Sequence, residues 1–232
     1  MVKYISFQVI ISFALLLAAN SGWCQFRSDK SKADQTIKDA REAFEDILRM
    51  GEDQFIPQSL IENAGGLVIF PKALKIAMGV GGQGGRGIAM IRLDNGEWSN
   101  PFFLGMGEAN VGAQIGVQST DLILLFCQRE HILDLEDTEL TLGADVGIAI
   151  GPVGRNSQAS TDIGFDAEIY SYSRSKGLYA GITVEGTVLE AHERMNEAYY
   201  DSDDMEEVFF NLKTPFDSDV KRLISALNEA VE

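Results

Sequence analysis

The 232-residue chain carries 19 Lys and Arg against 35 Asp and Glu, a formal charge of −16 with both histidines neutral. That acidic excess excludes nucleic acid as a partner, because binding it rests on a basic footprint that this chain lacks. With 45% apolar residues the length suits one well-formed core, and two cysteines furnish no disulfide framework.

Residues 1–24 have the form of a cleavable export signal: Lys3 supplies the positive start, Tyr4 to Ala19 a mainly apolar run, and Asn20 to Cys24 a short polar end. Ser6, Gln8 and Ser12 interrupt the run, which is shorter than the ~20 apolar residues a spanning helix needs. Cleavage after Ser21 or after Cys24 fits, as does lipidation of Cys24, although bulky Trp23 is a poor match to a lipoprotein signal. The expected product is exported, and periplasmic or associated with the cell envelope. Its removal of Lys3 alone would take the charge from −16 to −17.

Residues 25–51 hold an amphipathic helix, with Ala33, Ile37, Ala40, Phe44, Ile47 and Leu48 recurring at three- and four-residue steps and Gly51 as its stop. Its polar face is mixed or acidic, which favours docking on the domain over lying on a bilayer. Residues 52–232 form the remaining domain. Pro57 can open a short helix that Gly65 and Gly66 close. The apolar run LVIF is expected to be a buried strand ending at Pro71, and two hairpin connections are expected after it, one at Gly84-Gly85 and one at Asp94-Asn95-Gly96. Strands follow over Ala109 to Val117 and Leu122 to Phe126, then a short helix around Glu130 to Glu136.

Alternation predicts further strands over Leu140 to Ile150, Ile163 to Ile169 and Leu178 to Val184, a count of about eight. Beyond Leu189 an irregular acidic passage leads to a last helix after Pro215, striped by Val220, Leu223, Ile224 and Leu227. The predicted fold class is α+β and β-rich: a single curved antiparallel sheet or barrel with N- and C-terminal amphipathic helices.

No catalytic constellation emerges. Two overlapping G-x-G-x-x-G matches between Gly79 and Gly87 precede a strand rather than a helix, so they lack the helix N-terminus that would face a pyrophosphate. His131 and His192 are not at metal-ligand spacing, Cys127 sits in an apolar run as an inert thiol, and no G-x-S-x-G elbow exists. No cofactor, no metal and no enzyme activity are expected. Charge distribution is more telling, since the window from Ala64 to Leu93 is free of acids and holds Lys72, Lys75, Arg86 and Arg92. Arg155, Arg174 and Lys176 fall in or beside the GPVGR and SRSKG turns. All seven are candidate contacts for a phosphate-bearing headgroup.

The blocks GLVIFPKALKIAMGVGGQGGRG, WSNPFF, GAQIGVQSTDLILL, LGADVGIAIGPVGR and YSYSRSKGLYAGITVEG, with Tyr199-Tyr200, resemble in order and joint occurrence the SYLF domain family. The resemblance covers residues 52–232 and implies a non-enzymatic module that binds phospholipid, phosphoinositide or another anionic lipid. For an exported member, binding to cytoplasmic actin is not expected. An envelope protein–protein interaction module is the alternative, and a hydrolase with a small-molecule pocket the third.

Overall fold

The computed structural model describes residues 28–50, 56–152, 167–175, 178–179, 184–211 and 217–231, with the backbone alone at 75–81, 108–118, 178–179 and 211. Its elements, in chain order, begin with α1 (residues 28–48), α2 (Gln58–Asn63), β1 (Gly66–Ile91) and β2 (Phe102–Phe126). There follow α3 (Glu130–Leu133) with a 3-10 turn, β3 (Leu140–Thr141), β4 (Ile148–Ile150), β5 (Ile169–Ser175), β6 (Leu178–Tyr179) and β7 (Val188–Ala191). Last come α4 (Glu193–Tyr200), a π-helical turn at Glu207–Asn211 and α5 (Ser218–Glu229).

β1 and β2 form one long antiparallel ribbon, paired from Gly66 opposite Phe126 to Ala89 opposite Phe102 with register shifts between Phe70 and Ala73 and between Met78 and Gly79. A strand of 26 residues would extend roughly 85 Å, about twice the ~45 Å breadth of a compact chain of this size. The ribbon must bend, and it does. A Cβ on Gly66 would stand 2.9 Å from the Met90 carbonyl oxygen, and one on Gly87 would stand 2.3 Å from the Ile69 carbonyl oxygen, while Gly85 lies against Ala73. The two ends of β1 are therefore antiparallel neighbours, and glycine at 66 and 87 is required because any side chain would strike backbone.

The sheet is α+β in setting, curled into a half-barrel, and of seven strands among the described residues. β2 is its spine, taking β5 along Asp121–Phe126 and β7 along Leu104–Gly107, while β3 pairs with β7 and β6 with β5. One edge is parallel, not antiparallel: β4 runs alongside β5 in the same direction, which makes the sheet mixed.

Several expected boundaries move. The strand through LVIF does not stop at Pro71; a register shift between Phe70 and Ala73 absorbs Pro71 and Lys72, and Lys72 takes φ of 53°. Gly84-Gly85 is not a hairpin turn, since β1 runs through it and reverses over the residues between Ala73 and Gly85. The connection at Asp94-Asn95-Gly96 is present, with Gly96 at φ 84°. The runs at Ala109 to Val117 and Leu122 to Phe126 are one strand, β2. Leu140 to Ile150 is two short strands around a turn, where Gly143 has φ 82° and the Asp145 carboxylate accepts the Thr141 N–H at 2.7 Å. The acidic passage after Leu189 contains a helix, α4, which begins at Glu193.

Both faces of the ribbon are covered, which is why LVIF and LILLF read as continuous apolar runs. On one face Leu67, Ile69, Phe103, Ile123 and Tyr172 meet α1 and α5; on the other Val68, Phe70, Leu104 and Phe126 meet α3, β3 and the π-helical turn. α1 docks as its periodicity predicts, with Ala33, Ile37, Ala40 and Phe44 at 0% exposure. α5 is capped by Asp217, whose side chain accepts the Asp219 N–H, and buries Val220, Leu223 and Leu227. Side-chain amide pairing ties α4 to the sheet: Asn196 accepts the Phe103 N–H at 2.8 Å and donates to the Phe103 carbonyl at 3.0 Å.

Candidate functional site

α1 crosses the folded-back ribbon so that one polar stripe of the helix faces the bulge of β1. Ser31, Lys32, Gln35, Thr36 and Asp39 form one wall of a cleft of about 710 Å³, and Pro71, Lys72, Leu74, Gly84, Gly85 and Arg86 form the rest. Lys72 and Arg86 come from the two neighbouring runs of β1, since Gly85 packs on Ala73. Its volume lies within the ~300–1,000 Å³ usual for small-molecule sites.

The cations of the cleft are held in different ways. The Lys72 ammonium donates to Asp39 at 2.8 Å, which raises its pKa through that hydrogen bond, and its backbone N–H donates to Asp121 at 2.9 Å. Lys32 pairs with Asp29, a carboxylate on the first turn of α1, at 2.8 Å. Arg86 is exposed and makes no ion pair among the described residues. Leu74 is 42% exposed, an apolar side chain at the rim of a charged cleft.

Two other candidate cations are built into the scaffold. Arg92 stacks on Trp98 with its guanidinium carbon 4.1 Å from the ring centre, and donates to the carbonyls of Gly96 at 3.1 Å and Ile61 at 3.2 Å. Burial lowers its pKa. Arg174 bridges Asp46 of α1 at 2.6 Å and Asp121 of β2 at 2.9 Å. Burial works against its charge, and the two carboxylates outweigh that and raise its pKa. The structure thus brings Lys72 and Arg86 together and places Arg92 and Arg174 elsewhere, inside structural networks. Cys24, Arg155 and Lys176, like the signal segment, lie outside the described residues, as does the side chain of Lys75.

Lys32 and its polar neighbours on α1 escaped the sequence reading, because an amphipathic helix shows which face is apolar but not what its polar face meets. The signal was the stripe Ser31, Gln35 and Asp39 at four-residue spacing beside Lys32.

The groups that could do chemistry are not in this cleft. His131 Nε2 is 3.5 Å from Glu168, whose other oxygen accepts the Gly147 N–H at 2.6 Å. His192 flanks α4, with its pKa lowered by burial. The Cys127 thiol donates to the Ala167 carbonyl at 3.3 Å, and burial and Glu168 push its pKa up, away from the reactive thiolate. Among the described residues no cluster of three or more His, Cys, Asp or Glu is placed to hold a metal, and no described helix is long and apolar enough to cross a membrane.

Fold and cleft together define an α+β module: a glycine-rich ribbon curled on itself, clasped by terminal helices, with a cationic cleft under the first of them. The chain belongs to the Ysc84 family, described as "Las17-binding protein actin regulator", whose model matches residues 107–230, and this is the family that the SYLF resemblance names. It is similar to the human "SH3 domain-containing YSC84-like protein 1", 34% identical over 175 residues, or 75% of this chain and 51% of that protein. It is also similar to "Protein YSC84" of Saccharomyces cerevisiae, 33% identical over 75% of this chain and 38% of the yeast protein. An SH3 domain-containing protein of Schizosaccharomyces pombe is 38% identical over 66% of this chain and 36% of its own length. The chain thus spans about half the length of the human relative and less of the yeast ones. None of these names is that of an enzyme.

Proposed function

We propose that this chain is a non-enzymatic phospholipid-binding module, exported and associated with the cell envelope, that engages anionic headgroups through the cleft between α1 and β1. The observation that carries this reading is the junction of Lys32, Lys72 and Arg86 with the exposed Leu74 at one opening. A lipid presents an anionic head on an apolar tail, and a cationic cleft with an apolar rim complements both. The family resemblance supports the same class of ligand, phosphoinositide or another anionic phospholipid. Export is supported by the pattern of residues 1–24, and in that compartment cytoplasmic actin is not a partner.

The overall charge of −16 does not prevent membrane approach. Exposed charges are screened beyond roughly 8 Å at physiological salt, so the local cations dominate at contact. Flotation of the mature protein with phosphatidylcholine vesicles, alone or containing phosphatidylglycerol, tests the reading. Binding to the anionic vesicles that weakens with salt is expected; failure on both, with folded protein, refutes it. The mass of the mature N-terminus tests export.

A further inference from the structure

We infer that the cleft between α1 and β1 is a discrete binding site for a phosphomonoester, with Arg86, Lys72 and Lys32 as its ligands to the phosphate and Gly84 as its floor. The inference rests on the phospholipid reading for the source of the ligand, and on the cleft itself for the ligand's chemistry.

Three cationic side chains line the same cleft from three separate segments: Lys32 from α1, Lys72 from the bulge in β1, and Arg86 from the returning run of that strand. Lys32 and Lys72 are each oriented by a carboxylate, Asp29 and Asp39, at 2.8 Å. An ammonium has three N–H donors. One is spent on the carboxylate, and the others remain for a ligand. Arg86 makes no ion pair among the described residues, so its fork of N–H donors is available. A phosphomonoester offers three terminal oxygens, one for each segment, whereas the phosphodiester of a simple glycerophospholipid offers two. Charge-assisted bonds of this kind are the strong ones, and their geometry sets specificity.

The floor is shaped for close approach. Among the described residues, a Cβ on Gly84 would meet only the Met106 carbonyl oxygen, at 3.7 Å, and one on its cross-strand partner Gly107 would meet nothing within 4 Å. No φ constraint holds glycine at position 84, in contrast to Gly96, Gly143 and Gly186. Among the described residues these two glycines therefore leave open space over the sheet where packing does not demand it. A side chain added at Gly84 would take up that space without striking backbone, which makes it a plug that leaves every charge in place.

The test compares the full mature chain with Gly84→Val and Arg86→Gln, each checked for an unchanged thermal melt. The probes are phosphatidylcholine vesicles carrying phosphatidic acid, a phosphomonoester, or phosphatidylglycerol, a diester, matched in surface charge, and soluble glycerol 3-phosphate. The expected result is at least about tenfold tighter binding to phosphatidic acid than to phosphatidylglycerol, lost in both variants. Equal binding to the two anionic vesicles, unaffected by Gly84→Val, overturns the site while leaving phospholipid binding intact. Saturable binding of glycerol 3-phosphate that Gly84→Val abolishes, with no vesicle binding, supports the site and removes the phospholipid reading. Failure of every probe on folded protein overturns both.

Discussion

Replacing Arg174 by Ala is expected to loosen α1 from the sheet rather than to remove a headgroup contact. The guanidinium lies between Asp46 on the helix and Asp121 on β2, with its own side chain 20% exposed and those carboxylates 42% and 15% exposed. The pair with Asp46 is close to a surface ion pair, worth about 0.2–1 kcal/mol. The pair with Asp121 is more enclosed, and breaking a fully buried pair from one side costs about 3–5 kcal/mol. Asp121 keeps the Lys72 backbone N–H after the substitution, so its loss is partial and falls nearer 1–2 kcal/mol. The sum, about 1–3 kcal/mol, corresponds to a fall in Tm of roughly 2–12 °C for a chain of this size. Thermal unfolding followed by circular dichroism measures it, and a cycle with Asp121→Ala should return a coupling of about 1–2 kcal/mol. An unchanged Tm together with lost vesicle binding would refute this reasoning and return Arg174 to the headgroup surface.

Phe44→Ala, at a fully buried position of α1, should cost about 3–5 kcal/mol in urea unfolding, and a cost below about 1 kcal/mol would mean that the helix is not part of the core. Asp39→Asn removes the carboxylate that faces a bound anion and frees the Lys72 ammonium, so anionic-vesicle affinity should rise about fivefold, the effect of ~1 kcal/mol between charges near 4 Å in water. A fall in affinity would show that Lys72 must be held by Asp39 to act. His192 should impose a pH dependence on stability. Burial first, then Arg194 and Arg86, lower its folded pKa, and a backbone hydrogen bond and, more weakly, Asp29 oppose them without reversing the direction. The unfolded chain then binds the proton first, and stability falls as pH drops through about 6.5 and stops falling below the folded value. His192→Gln should flatten that part of the profile.

How far the sequence reached depended on whether neighbours in space were neighbours in pattern. The apolar stripe of α1 predicts its docked face because helix periodicity and burial share one geometry, and Phe44 and Ile37 are where it puts them. The same holds for Val220, Leu223 and Leu227 of α5. Glycines are different. Those near Gly84 resemble a turn in sequence, yet Gly66 and Gly87 are demanded by contact with backbone some twenty residues away, which no local pattern encodes. Arg92 and Arg174 were candidates because cations in an acidic chain stand out, but their partners, Trp98 for one and Asp46 and Asp121 for the other, are set by tertiary contact. α4 was missed because its eight residues, ERMNEAYY, are too few for a periodic stripe to stand out in sequence; buried Met195 and Ala198, and Tyr199 against the Phe103 ring, gain their meaning only from the tertiary fold, in which Asn196 also bonds to the Phe103 backbone.

The acid-free window from Ala64 to Leu93 takes its meaning from α1. Lys72 of that window receives Asp39, and Asp46 of the same helix reaches the sheet through Arg174. A carboxylate on this part of β1 would face these acids across the cleft and repel them, so the lack of acids there serves helix docking before any ligand arrives. An anion bound in the cleft must share Lys72 with Asp39. Ligand binding and the docking of α1 are therefore linked through one ammonium, and by thermodynamic reciprocity a bound anion changes the strength of the Asp39 to Lys72 contact by the same factor as that contact changes the anion's affinity. Arg86, outside that competition among the described residues, can add affinity without loosening the helix. Among its described side chains the acid-free window thus divides its cations between the scaffold, in Arg92, and the cleft, in Lys72 and Arg86, with Lys72 belonging to both.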